Sequence, residues 1–124
     1  MVVSATLVTV LSLGLGLARS PYLGVACHGA NTTTCGRVGI AVWLRGSPTA
    51  VEATVRNAGV RLQRETWANG ETPWIGYVHL DLRAMGLPAG WTGPAKRVFL
   101  HLRIRRRGVW RTGTVPVLLS PGWG

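Results

Sequence analysis

From residue 37 onward, apolar and polar positions alternate with a period of two, the signature of half-buried strands. In RVGIAVWLRG (37–46), Val38, Ile40, Val42 and Leu44 share one face and Trp43 takes the other. AVEATVRN (50–57) sets Val51, Ala53 and Val55 against Glu52, Thr54 and Arg56, and the NAG turn leads into VRLQRE (60–65), which predicts a hairpin. WANGETPW (67–74) is a turn-rich loop. IGYVHLDLRA (75–84) alternates again, with Tyr77, His79 and Asp81 opposing Val78, Leu80 and Leu82. MGLPAGWTGPA (85–95) is crowded with Gly and Pro and reads as an irregular loop. The clearest alternation is KRVFLHLRIRRR (96–107): Val98, Leu100, Leu102 and Ile104 face in, while Phe99, His101, Arg103 and Arg105 face out. A turn then returns the chain as VWRTGTVPVLLS (109–120), where Pro116 cannot donate to a ladder and predicts an edge strand or a bulge. Short strands at this spacing predict an all-β domain over residues 37–124, an antiparallel β-sandwich of immunoglobulin-like outline. The Cys…Trp…Cys signature of true immunoglobulin domains is absent.

The first 18 residues, MVVSATLVTVLSLGLGLA, break this pattern, with no charged side chain before Arg19. They predict one N-terminal apolar helix, long enough to span a bilayer with little to spare. Residues 1–19 then form a signal-anchor or signal segment, with the remainder outside the cell membrane or secreted. Gly16 and Ala18 give a small-x-small cleavage pattern, whereas LGVAC makes a poor lipoprotein signal because Gly24 stands where a branched apolar residue is usual. A buried core helix is the remaining reading. No basic stretch precedes the run, so a start upstream of Met1 is expected. Residues 20–36 read as a connector bearing Cys27 and Cys35. Two cysteines behind an export-like segment predict a disulfide. A metal site at Cys27, His28 and Cys35 is the weaker alternative, because no fourth ligand lies nearby.

The chain of 124 residues suffices for one domain, and its 17 Gly and 7 Pro suit strands and turns. SPYLGVAC…CGRVGIAVWLRG, with LSPGWG at the end, resembles uncharacterised exported or membrane-anchored β domains of high-GC Gram-positive bacteria. The resemblance implies an outward-facing β domain behind a single anchor and carries no activity with it.

Charge adds a partner class. The net charge is +10, from 14 basic residues against 4 acidic ones, and favours anionic partners: nucleic acid, lipid headgroups or acidic envelope polymers. Lys96, Arg97, Arg103, Arg105, Arg106, Arg107 and Arg111 lie close in sequence with no acid after Asp81. Arg111 is expected to share the outward face of Arg103 and Arg105. Export argues against nucleic acid, which becomes the partner only if the chain stays inside the cell. Among 6 Trp, those in turn-rich loops, Trp67, Trp74 and Trp91, are candidates for one loop-end aromatic patch, or else they cap the core.

Catalytic chemistry finds little support. His79 and Asp81 share a strand face but stand too far apart for a direct bond. No nucleophile, metal-binding or phosphate-loop motif appears, and no cofactor or catalytic residue is expected. The sequence therefore points to a non-catalytic extracytoplasmic binding or interaction domain at the cell surface that contacts anionic envelope components. An accessory or sensing domain of a membrane protein assembly is the alternative.

Overall fold

The computed structural model describes residues 14–27, 35–88 and 90–123. They form β1 (Tyr22–Val25), β2 (Arg37–Val42), β3 (Ala50–Val55), β4 (Ala58–Arg64), β5 (Trp74–His79), β6 (Lys96–Arg106) and β7 (Val109–Ser120). Their order is β1-β2-β5-β4-β3-β6-β7, closed into a barrel where β7 pairs in parallel with β1. All other neighbours are antiparallel.

The expected sandwich is thereby corrected to a seven-stranded barrel. Alternation cannot separate the two, because both place every second side chain on an inner face. The difference is whether the sheet edges meet. They meet at two short seams: Leu23↔Leu119 and Gly24↔Ser120 join β1 to β7, and Gln63↔Ile75 and Arg64↔Trp74 join β4 to β5. Pairing there satisfies backbone groups that would otherwise stand on open edges.

The interior is filled as the alternation requires. Leu23, Ile40, Val51, Leu62, Leu100, Leu102, Ile104 and Leu119 are buried in one core, each contributing about 1.5–3 kcal/mol by transfer from water. β6 and β7 form the longest hairpin, paired from Lys96↔Leu119 to Arg106↔Val109. Pro116 lies opposite Phe99, and β7 meets β1 only at Leu119 and Ser120, so Pro116 has a partner strand on one side only, as on an edge strand. β5 stops at His79 because the chain turns: the Ala84 N–H donates to Asp81 Oδ1 (3.1 Å) and the Met85 N–H to the Leu82 carbonyl (3.1 Å). β1 arises inside the stretch read as a connector.

The N-terminal helix is the second correction. Residues 1–13, most of the expected helix, lie outside the described residues, and no complete helix is found among the described ones. The end of the apolar run instead extends the β1–β2 pairing. Leu17 bridges to Leu44, the Ala18 N–H donates to the Trp43 carbonyl (2.9 Å), and the Arg45 N–H donates to the Gly16 carbonyl (2.8 Å). Leu15 and Leu17 are buried in the barrel core. Gly16, with a left-handed φ of 72°, turns the chain out of helical geometry, and the core takes up Leu15 and Leu17. Among the described residues, no helix is long and apolar enough to cross a membrane.

Cys27 and Cys35 form a disulfide, with Cα atoms 6.2 Å apart. The pairing uses both thiols proposed for the alternative metal site, whose third member, His28, lies outside the described residues. The bond follows β1, at the end opposite Leu15 and Leu17.

Candidate functional site

A second, smaller apolar cluster lies outside the barrel. Because Leu23, Ile40 and Val42 point inward, their neighbours Tyr22, Ala41 and Trp43 point outward, where β5 adds Ile75 and Tyr77. Ala41, Trp43 and Ile75 are buried there, with Tyr22, Trp67 and Trp123 packed against them.

Small residues make the floor of this site. After β7 the chain turns back and lays Gly122 and Trp123 over Gly24 of β1 and Gly39 of β2. A Cβ on Gly24 would collide with the Gly122 carbonyl, and one on Gly39 would stand 2.6 Å from the Trp123 ring. The Tyr22 hydroxyl donates to the Gly122 carbonyl. The Trp123 ring then lies 5.6 Å from Tyr22 and 5.8 Å from Tyr77. Gly39→Ala is expected to unseat Trp123 while leaving the barrel folded. The measurement is tryptophan emission, which should shift to the red at unchanged far-ultraviolet circular dichroism. Unchanged emission would show that Trp123 does not rest on β2.

The opposite wall comes from the loop after β4. Trp67 stands edge-on to Trp43, with centroids 5.7 Å apart and ring planes at 85°. The loop is braced locally: the Trp67 N–H donates to the Glu71 carbonyl (2.8 Å), the Glu71 N–H donates to Asn69 Oδ1 (3.0 Å), and the Asn69 amide donates to the Glu71 carboxylate. Between the walls lies a groove of about 650 Å³, within the usual range of ligand sites.

The polar groups are few. The Arg19 guanidinium stacks 3.6 Å from the centre of the Trp43 ring and pairs with Glu71 at 2.9 Å. The Arg19 side chain is 54% exposed, so the pair is worth about 0–1 kcal/mol and chiefly orients the groups. Arg37 stacks on Tyr77 at 4.2 Å. Glu65 is the one carboxylate on the lining among the described residues. The indole N–H of Trp43 is buried with no acceptor among the described residues, at a cost of about 1–3 kcal/mol.

The three tryptophans expected to form one patch are dispersed. Trp67 lines the groove, Trp74 packs partly buried against the barrel core, and Trp91 is buried within that core. The last two therefore stabilise the barrel and stand on no common surface with Trp67.

The basic cluster also divides. Lys96 and Arg97 begin β6, about 26–30 Å along the strand from Arg105 at ~3.3 Å per residue. Arg103 faces out, pairs with Glu52 (2.7 Å) and stacks on Trp110 (4.2 Å). Arg105 and Arg107 are exposed at the hairpin end. Arg106 turns inward and donates to the carbonyls of Leu15 (2.8 Å) and Arg45 (3.0 Å). Burial, with a smaller effect from Arg111, lowers its pKa. Arg111 lies opposite Ile104, so it projects to the other face from Arg103 and Arg105, correcting the expected common face. Trp110 takes the place across from Arg105.

Sequence reading missed Tyr22, Trp43, Tyr77 and Trp123 as a group, together with Arg19 and Glu65. A signal was present: the face opposite Val38, Ile40 and Val42 carries Gly39 and Ala41 beside Trp43, a flat strip able to accept a ring. His79 and Asp81 are both exposed, and Asp81 caps a turn. No family model, curated protein or solved structure matches the chain.

Proposed function

We propose that this chain is a non-catalytic, exported binding domain that takes a glycan strand of the cell envelope in the aromatic groove. The observation that carries the reading is the convergence of Tyr22, Trp43, Trp67, Tyr77 and Trp123 on one groove, with Arg19 and Glu65 among them. The groove lies on a face whose strands are already paired with one another, so recognition falls to ring faces and the few charged groups. A pyranose presents an apolar C–H face to a ring and hydroxyls at its edge. Arg19 donates to such hydroxyls and Glu65 accepts from them. The net charge of +10 suits glycans that carry acidic groups. The disulfide favours an oxidising compartment, in keeping with export. A non-catalytic role is favoured because Arg19 engages Glu71 and leaves Glu65 as the one carboxylate on the lining, whereas glycoside hydrolysis ordinarily takes two.

The test is co-sedimentation of the purified chain with insoluble envelope glycans, comparing wild type with Trp67→Ala. Trp67 stands outside the barrel core, so the variant should keep its melting temperature within a few degrees and lose at least about tenfold in affinity, the loss typical of a dominant contact. A folded wild type that sediments with no glycan overturns the reading. Binding of proline-rich peptides in its place would reassign the groove to extended peptides, which also dock on aromatic grooves.

A further inference from the structure

We infer that the end of the barrel carrying the β6–β7 hairpin tip seats on an anionic lipid bilayer. This surface is separate from the groove and does not depend on the glycan reading.

The tip combines cations with exposed apolar groups. Val109 is 57% exposed and Trp110 36%, on a strand that also carries Arg111. Arg105 stands across from Trp110, and Arg107 occupies the turn. Arg107 takes a left-handed φ of 52°, a conformation that Asn or Gly adopts with less strain. Arg45 belongs to the same end, since its carbonyl accepts from Arg106. Glu52 on the outer face is engaged by Arg103, and neither Arg105 and Arg107 nor Arg111, which projects from the hairpin's other face, has an ion pair among the described residues. An indole at the headgroup level beside arginines suits a membrane interface, where cations are drawn to anionic lipid.

The path of the chain selects a bilayer over other polyanions. Leu15 packs on Gly113 of β7, and its carbonyl is held by Arg106. The described chain therefore begins at the tip end, and the 13 residues before it, MVVSATLVTVLSL, carry no charged side chain. Chain continuity fixes the attachment point of this stretch at the end that carries the arginines. The exposed Val109 beside Trp110 is apolar surface whose burial a lipid interface favours and a solvated polyanion does not.

The experiment measures binding of the full chain to vesicles of phosphatidylcholine with about 30% phosphatidylglycerol, and to phosphatidylcholine alone. The test variant is Arg105→Gln/Arg107→Gln/Arg111→Gln. The control removes equal charge elsewhere, as Arg56→Gln/Arg61→Gln/Arg83→Gln. About fivefold per arginine predicts a loss on the order of 100-fold for the test variant on anionic vesicles. The control should lose no more than a few-fold. Trp110→Phe should remove most of the blue shift in emission that accompanies binding. Equal losses in the two triple variants would overturn the proposal, because net charge alone would then explain binding. Unchanged binding of the test variant would overturn it in favour of the apolar stretch acting alone. Displacement from anionic vesicles by substoichiometric single-stranded oligonucleotide would assign the tip to nucleic acid.

Discussion

Leu100→Ala is expected to cost about 3–5 kcal/mol and to leave the domain at or below its folding threshold, since small domains hold only about 5–15 kcal/mol in all. Leu100 has no solvent exposure and sits near the middle of β6. It lies between Val55 of β3 and Val115 of β7, so its side chain is enclosed on both flanks by paired strands. Those strands are fixed by their ladders and cannot move in to fill the space. A cavity left by Leu→Ala should therefore persist, which places the cost at the upper end of the range. The control is Leu118→Ala on the outer face of β7. Leu118 is 57% exposed, and its truncation should change stability by no more than about 0.5 kcal/mol. Urea titration measures both. Similar midpoints for the two variants would show that the barrel interior is not the stabilising core.

Removing the disulfide should have the next largest effect. Cys27→Ser/Cys35→Ser opens a link between residues 8 apart in sequence, which the chain-entropy account values at about 2.5 kcal/mol. For a domain of this size the melting temperature should fall on the order of 10 °C. Cys27 also packs against the barrel core at the end of β1, so the bond holds the short first strand in the position where it closes the barrel. Wild type under reducing conditions should melt at the temperature of the double variant, and the double variant should be indifferent to reductant. A reductant-sensitive double variant, or a wild type unaffected once its thiols are shown to be free, would remove the disulfide from the stability of this fold.

The two variants probe different layers of information. The position of Leu100 on an inner face is legible in KRVFLHLRIRRR, because a strand admits only two faces and one is uniformly apolar. The same reasoning located six of the strands and the long hairpin. It missed β1, whose four residues YLGV are too few to display a period. The partnership of Cys27 with Cys35 follows from there being two cysteines and one short loop. The groove was less legible because its rings come from separated places: Tyr22 on β1, Trp43 just beyond β2, Trp67 in a loop, Tyr77 on β5 and Trp123 beyond β7. Each by itself reads as an ordinary half-buried aromatic.

Sequence by itself determined the all-β character, the inward and outward residue sets, the disulfide and the excess of arginine, because each depends on local periodicity, pairing arithmetic or composition. Tertiary structure decided that the sheet closes, that residues 16–18 pair alongside the barrel strands, and that Arg111 parts from Arg103 and Arg105. It also decided that Trp74 and Trp91 serve the core while Trp43 and Trp123 build a groove. The physical reason is that alternation specifies which way a side chain points without specifying what it meets. Edge pairing, hairpin register and the close approach of a ring to Gly39 depend on contacts between residues far apart in the chain.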